Sequence, residues 1–183
     1  MTSLSSINTY NTERLFAERL RPEHLADYRQ LFQDEQVMAT LSPDGKPLAD
    51  EEVARWLSLS LEHWDRHGYG YWIFRTRSEK QFVGRAGLHN VQMEGKEQVE
   101  LGYALMPEFW NQGLATEIAG KIVQLAFEPI GLPQIICYTL TTNRPSQRVM
   151  EKTGFRFDRE MVHADLPHVL YRMTAPEFST RFE

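Results

Sequence analysis

The chain has 183 residues, of which 42% are hydrophobic and 25% charged, a length and composition that fit one globular domain. Its formal net charge of −5 and the lack of a long apolar run argue against nucleic-acid and membrane partners. The single cysteine, Cys137, excludes an internal disulfide and a cysteine-rich zinc site, and a cytoplasmic protein is the default expectation.

The N-terminal third of the chain predicts a strand and two helices. Residues 1–12 are polar and lack the features of a secretory signal, so we expect a flexible lead-in. Apolar alternation predicts a strand over Arg14–Leu20, and Pro22 then marks the start of a helix. After a turn-rich loop, Asp50 is the predicted N-cap of a helix that ends at Gly68.

The rest of the chain predicts six further strands and two further helices. The strands are expected at Tyr71–Arg77, Gln81–Val91, Gln98–Met106, Gln134–Thr141, Phe155–Val162 and His168–Met173. The helices are expected from about Gly113 to Phe127 and from Asn143, as the N-cap, to Lys152. The sequence thus predicts a mixed α/β fold in one domain, residues 1–183, with a mostly antiparallel sheet of about seven strands and about four helices.

The turn WNQGLAT, which follows the strand ending at Met106, has features of a phosphate-binding site. The first N–H groups of a helix have no intrahelical acceptor, and the helix dipole places partial positive charge there. Backbone amides can therefore bind a diphosphate where small residues such as Gly113 and Ala115 allow close approach, and Thr116 adds a hydroxyl. A plain helix start, in which Gly113 only shapes the turn, is the alternative on spacing alone.

Two common phosphate-binding motifs are absent from the sequence. No glycine is followed by Lys-Ser or Lys-Thr, as a P-loop requires. The G-x-G at Gly68–Gly70 precedes a strand instead of opening a helix, which argues against a dinucleotide fingerprint. Both motifs are therefore rejected.

Two segments together resemble the GNAT acetyltransferase superfamily, ELGYALMPEFWNQGLATE at Glu100–Glu117 and NRPSQRVMEKTGF at Asn143–Phe155. The resemblance is closer to the RimJ/RimL-like group of ribosomal-protein N-terminal acetyltransferases, in which Trp often occupies the position of Trp110. It implies a GNAT-type fold in which acetyl-CoA lies where two parallel strands, Gln98–Met106 and Gln134–Thr141, splay apart.

The resemblance also implies the residues that bind acetyl-CoA. Pantetheine would pair with the backbone around Leu105, and Asn143 would both cap its helix and contact pantetheine. Ser146 resembles a serine that some relatives use beside the CoA sulfur. Many GNAT enzymes have, at the position of Met150, a tyrosine that acts as the general acid. Met150 cannot do this, so the proton donor would be Ser146 or water, or there is no dedicated acid. The pyrophosphate would bind amides of Asn111, Gln112, Gly113, Leu114, Ala115 and Thr116.

Acetyl transfer to an amine needs a group that accepts the amine's proton. Glu100 is the first candidate because it lies on the strand that would flank the acetyl group, on the same face as Gly102 and Ala104. The alternative is an exposed strand carboxylate without a catalytic role. A backbone N–H near Leu105 could stabilise the oxyanion.

Three residues are candidates for the acceptor cleft, His89, His163 and Trp72, each against the alternative of a structural role. His63 and His67 stand four residues apart, a spacing that can bind zinc. No third ligand accompanies them, so no metal is expected.

The sequence therefore predicts an N-acetyltransferase that uses acetyl-CoA as co-substrate and acts as a monomer or homodimer. The acceptor is an amine, either a small molecule or a peptide N-terminus. A non-catalytic acyl-CoA-binding module of the same fold is the alternative, because Met150 cannot donate a proton. A third hypothesis, an unrelated nucleotide-binding protein, predicts stabilisation by ATP or NAD instead of CoA.

Overall fold

The structure is a computed structural model that describes residues 7–182. Eight strands of this range form one sheet in the order β1-β2-β3-β4-β5-β6-β8-β7. The strands are β1 Thr9–Asn11, β2 Leu15–Arg19, β3 Tyr71–Thr76, β4 Phe82–Met93, β5 Lys96–Leu105, β6 Gln134–Leu140, β7 Arg156–His163 and β8 Leu166–Thr174. The α-helices are α1 Leu25–Phe32, α2 Glu35–Leu41, α3 Asp50–His67, α4 Leu114–Phe127, α5 Arg144–Thr153 and α6 Ala175–Phe182. Short 3-10 turns lie at Pro22–His24 and Pro107–Phe109.

The predicted fold class is confirmed. All seven predicted strands are present, and β5 and β6 form the parallel pair within an otherwise antiparallel sheet. In the part of the chain that the structure describes, no helix is long and apolar enough to cross a membrane.

Part of the predicted flexible lead-in is ordered. Strand β1 pairs with β2, and its Tyr10 ring packs edge-on against Trp72 and Phe74, at centroid distances of 5.6 and 6.0 Å. This aromatic packing stabilises strand β1, although the polar sequence of the segment shows no strand pattern. Residues 1–6 of the lead-in lie outside the described residues.

Two short helices, α2 and α6, were not predicted, and the start of α3 differs from the expectation. The N-cap of α3 is Ala49, whose N–H donates to the Glu52 carboxylate at 3.1 Å. Asp50 is instead the first helical residue. Its carboxylate accepts hydrogen bonds from Arg29 and Gln33 and so connects α3 to α1.

Strands β5 and β6 separate after a single paired position. Strand β5 pairs with β4 along its whole length, whereas its parallel register with β6 consists of Glu100 opposite Ile136. Beyond that pair, β6 remains paired with β8, and β5 continues along β4 toward Leu105. The predicted splayed cleft is therefore present, with Glu100 at its closed end.

The two faces of the sheet have different covers. Arg85, His89 and Glu100 share one face, since paired and alternate residues of an antiparallel sheet point the same way. Helices α1 and α3 cover this face: Phe32 of α1 lies 5.0 Å from the Arg85 guanidinium, and His63 of α3 stacks on His89 at 4.2 Å. Helices α4 and α5 cover the opposite face.

Candidate active site

Glu100 lies where β5 and β6 diverge, and it is paired with His89 across β4. Its side chain is partly buried, so an exposed strand carboxylate does not describe it. Burial raises the pKa of the Glu100 carboxyl to about 7, against the charge of Arg85 and a hydrogen bond from Tyr138, which both lower it. A carboxyl with this pKa is ionised in a large fraction of molecules near neutral pH and still binds a proton readily.

The surface beside Glu100 includes Tyr71 and Tyr138, which the sequence analysis did not identify. A Cβ atom at Gly102 would lie 3.3 Å from the Tyr71 hydroxyl and 3.5 Å from Glu100 Oε1, so this glycine leaves the carboxylate uncovered. Strand register could have identified Tyr71: Tyr71 pairs with Gly87, and Gly87 pairs with Gly102, which places Tyr71 on the face of the sheet that carries Glu100. Tyr138 lies on β6, on the other side of the cleft.

The backbone of β5 presents hydrogen-bonding groups to the cleft. The Met106 N–H donates to the Val83 carbonyl at 2.8 Å, so Met106 and every second residue before it direct their backbone groups toward β4. The intervening residues Tyr103 and Leu105 direct theirs toward the gap between β5 and β6. The Leu105 carbonyl accepts a hydrogen bond from the Trp110 indole at 2.7 Å, which leaves the Leu105 N–H facing the gap.

The turn before α4 has the backbone of an anion-binding helix start. Gly113 is the N-cap with φ 77°, and Asn111 also has a positive φ of 58°. The first intrahelical hydrogen bond joins the Glu117 N–H to the Gly113 carbonyl at 3.1 Å. The N–H groups of Leu114, Ala115 and Thr116 consequently lack an acceptor within the helix. The Gln112 side chain donates to the Glu108 carbonyl within the turn.

An ion pair holds this turn from the other side. The Glu117 carboxylate accepts from Arg14 Nε at 2.7 Å and from the Arg14 backbone N–H at 2.8 Å. Arg14 Nη1 also donates to the Gln112 carbonyl at 2.8 Å. Burial raises the pKa of Glu117, but hydrogen bonds from Thr12 and Arg14 outweigh it and hold that pKa below its usual value. The geometry of the turn is thus fixed by contacts with the start of β2.

A serine and a tyrosine meet across the cleft. The Asn143 side chain accepts from the Ser146 N–H at 3.2 Å and caps α5, as predicted. The Ser146 hydroxyl lies 2.7 Å from the hydroxyl of Tyr103, and burial raises the pKa of that phenol. Met150 is buried in the core, and its thioether has no proton to donate. Sequence reasoning missed Tyr103, although it lies within the quoted motif.

The three acceptor-cleft candidates have different positions. His89 is on the Glu100 face, stacked between Tyr71 and His63, and burial lowers its pKa to about 4. His163 packs edge-on against Tyr138, the residue that donates to Glu100, at a centroid distance of 5.0 Å.

Trp72, the third candidate, lies on the face of the sheet opposite His89 and Glu100. Alternation along β3 places Trp72 on the face opposite Tyr71. Its side chain is 1% exposed, and its indole donates to the Ile7 carbonyl at 2.9 Å.

Cys137 is buried as expected, and its thiol donates to the Leu101 carbonyl at 3.1 Å. Among residues 7–182, no group of three His, Cys, Asp or Glu side chains is arranged to hold a metal ion.

Known proteins resemble this chain in sequence and fold. It is 24% identical over 145 residues to the uncharacterized N-acetyltransferase YoaA of Bacillus subtilis. This match covers 79% of this chain and 81% of that protein. It is 32% identical over 155 residues to the FsC-acetyl coenzyme A-N(2)-transacetylase of Aspergillus fumigatus, covering 80% of this chain and 64% of that protein.

The fold is also similar to solved acetyltransferase structures. RimL, described as a ribosomal L7/L12 alpha-N-protein acetyltransferase and solved with coenzyme A, superimposes with a TM-score of 0.75 at 14% identity. The match covers 89% of this chain and 95% of RimL, and at this identity it concerns the fold. Residues 14–156 match the family described as the acetyltransferase (GNAT) domain, and the chain therefore belongs to the GNAT family of N-acetyltransferases.

Proposed function

We propose that the protein transfers the acetyl group of acetyl-CoA directly to an amine, with Glu100 as the general base. The observation that supports this most is the position of Glu100 at the closed end of the cleft, with its pKa raised to about 7 by burial. A base of this strength accepts a proton from an amine that binds in the same cleft, directly or through one water molecule.

The cleft has groups suited to two parts of acetyl-CoA, the pyrophosphate and pantetheine. The amides of Leu114, Ala115 and Thr116 lack intrahelical acceptors and suit the pyrophosphate. The backbone groups of Tyr103 and Leu105 face the gap and suit the amides of pantetheine. Asn143 caps α5 with its side-chain oxygen, which leaves its amide nitrogen as a donor for pantetheine.

The chemistry then moves one proton to Glu100 and another to the departing thiolate. The amine nitrogen attacks the thioester carbon, its proton passes to Glu100, and the Leu105 N–H stabilises the negative charge that develops on the carbonyl oxygen. The C–S bond then breaks, and the Ser146 hydroxyl donates a proton to the departing thiolate. Tyr103, 2.7 Å from Ser146, holds the serine hydroxyl in place by a hydrogen bond. Water returns a proton to the serine, and the proton on Glu100 leaves to the solvent.

A non-catalytic acyl-CoA-binding module is the second candidate. The observation that favours it is Met150, a buried thioether at the position where many relatives have the acidic tyrosine. We favour the enzyme because the Tyr103–Ser146 pair provides hydroxyl groups at the same cleft.

Release of free CoA thiol with a panel of amines, including amino acids, polyamines and short peptides, tests the proposal. We expect turnover with at least one class, and Glu100→Gln should lower kcat by on the order of 10²-fold or more while the Kd for CoA stays unchanged. Glu160→Gln is the matched control, since Glu160 is an exposed glutamate on β7. Tight CoA binding without thiol release across the whole panel would establish the binding module instead.

A further inference from the structure

Arg85 is a cation in the acceptor cleft that lacks a bonded anion. Its guanidinium lies 3.7 Å from the centre of the Tyr71 ring and 5.0 Å from that of Phe32. Its Nε atom is shut off from solvent and has no hydrogen-bond partner among the described residues. The ion pairs found over the same part of the chain do not include Arg85. The residue as a whole nevertheless keeps partial exposure, so contact with a ligand would involve its terminal nitrogens.

Arg75, a neighbouring arginine with structural contacts only, has its charge compensated by carboxylates. Arg75 on β3 contacts the carboxylates of Asp27 at 2.6 Å and Glu18 at 3.4 Å. A guanidinium withdrawn from water is costly unless charged or polar groups replace its hydration. The aromatic rings around Arg85 provide part of that replacement, but its Nε remains unsatisfied. Arg85 has no carboxylate partner of this kind, and an incoming anion that contacts its terminal nitrogens would take the place that Asp27 and Glu18 have at Arg75.

Glu100 does not neutralise Arg85 completely. Arg85 lowers the pKa of the Glu100 carboxyl, but burial outweighs this effect and the pKa is raised to about 7. A large fraction of the Glu100 side chains is consequently protonated near neutral pH. Glu100 also forms no ion pair with Arg85 among the described residues, so the guanidinium keeps N–H donors for a second anion whether Glu100 is protonated or ionised.

Arg85 and Glu100 are close enough to contact one small molecule. Arg85 pairs with Ala104 and Glu100 pairs with His89, and the intervening pair, Gly87 opposite Gly102, has no side chains. The Tyr71 side chain lies over this gap, with its ring against Arg85 and its hydroxyl beside Gly102 and Glu100. The Tyr71 side chain thus lies beside both the cation and the base.

We propose that the acceptor is a small amine with a carboxylate group, such as an amino acid, and that Arg85 binds this carboxylate while Glu100 accepts the amine proton. The planar guanidinium edge matches a carboxylate in two parallel hydrogen bonds. A peptide N-terminus lacks the adjacent carboxylate, because it has been converted to an amide. The inference rests on the proposed acetyl transfer and narrows its acceptor.

The test compares each standard L-amino acid with its own carboxamide, using kcat/KM from CoA release at about pH 9. Each ratio is taken within one protein at one pH, so a change in the pKa of Glu100 affects the acid and its carboxamide alike and does not alter the ratio. We expect the wild type to favour at least one amino acid over its carboxamide by on the order of 10²-fold or more. Arg85→Met should reduce that ratio to about 1, and Arg85→Lys should retain part of it, since lysine keeps the charge but loses the planar fork. Arg55→Met, at an exposed position of α3, is the matched control.

Two outcomes contradict the inference while leaving acetyl transfer intact. One is a wild-type preference for carboxamides or peptides. The other is an equal loss of kcat/KM for acids and carboxamides in Arg85→Met, which indicates a structural role. Binding of the N-acetyl amino acids and their carboxamides in the presence of CoA, by calorimetry, provides a readout that does not need turnover. Arg85-dependent binding of the acids without turnover supports the carboxylate site and contradicts the proposed function.

Discussion

At the scale of single residues, the most consequential property of the site is the proton affinity of Glu100. The partly buried carboxyl has a pKa of about 7, raised chiefly by burial. A general base works only when it is ionised, so activity should be low below this pKa and should rise through it. The direction of the shift also affects stability. The folded state binds a proton more tightly than the unfolded state, so the free energy of unfolding should fall as the pH rises from about 4.5 to about 7.

The first prediction concerns this pH dependence. The pH profile of kcat/KM should show an acidic limb near pH 7, below which the ionisation of Glu100 contributes about a tenfold rise per pH unit. In Glu100→Gln this limb should be absent, and the fall in stability between about pH 4.5 and 7 should become smaller. Any limb due to the acceptor amine, whose pKa lies higher, is common to both proteins. A limb near pH 7 that persists in Glu100→Gln would assign the titration to another group.

The second prediction concerns the hydroxyl pair. Ser146→Ala should lower kcat by about tenfold or more, because the departing thiolate loses its proton donor, while the Kd for CoA should stay within about twofold. Tyr103→Phe should have a smaller effect, and the double variant should resemble Ser146→Ala, since the two hydroxyls act as one unit. Ser58→Ala on the exposed side of α3 is the control. A double variant whose kcat equals that of the wild type would show that the thiolate leaves without help.

Local sequence places some site residues and cannot place others. Glu100, Ser146 and the WNQGLAT turn belong to short contiguous motifs, so the sequence locates them. Tyr71 and Arg85 join the site only through the register of β3, β4 and β5, which depends on packing between distant segments. The sequence could not place Trp72 for the same reason, because a shift of one residue moves a side chain to the other face of the sheet.

At the scale of elements, the turn before α4 depends on backbone conformation more than on side chains. Gly113 has φ 77°, which places it in the left-handed region that favours glycine. Long strands and amphipathic helices were predictable because their apolar periodicity is strong. Strand β1 and helix α2 were not, since β1 is held by the packing of Tyr10 and α2 is a short helix capped by Asp34.

The third prediction tests this turn. Gly113→Ala should cost about 1 kcal/mol of stability, because alanine is strained at a positive φ, and should weaken CoA binding by about tenfold through displacement of the amides. Gly120→Ala is the matched control: Gly120 lies within α4, where an added Cβ meets no neighbour within 4 Å. Alanine should stabilise the helix there by about 0.5–1 kcal/mol. Calorimetry with CoA and urea unfolding measure both quantities. An unchanged Kd in Gly113→Ala would remove the turn from the binding site.

At the scale of the whole molecule, the sheet consists of two parts that meet at β5 and β6. The backbone register between these strands is the pair of Glu100 and Ile136. Side chains add further links: the Cys137 thiol donates to the Leu101 carbonyl, and the hydroxyls of Tyr103 and Ser146 lie 2.7 Å apart. A ligand that pairs with both strands would replace the missing backbone hydrogen bonds. Cofactor binding and the stability of the sheet should therefore be coupled.

The fourth prediction follows from this coupling. CoA at about 100 times its Kd should stabilise the protein by about 2.7 kcal/mol, which for a chain of this size raises Tm by roughly 5–11 °C. ATP and NAD at the same concentration should give a much smaller shift, because neither supplies a pantetheine arm for the gap between β5 and β6. Thermal unfolding with each ligand measures the difference, and Gly113→Ala should reduce the CoA shift while Gly120→Ala preserves it. Equal shifts with ATP and CoA would mean that the α4 turn binds phosphate chains in general and that the splayed strands contribute nothing to recognition.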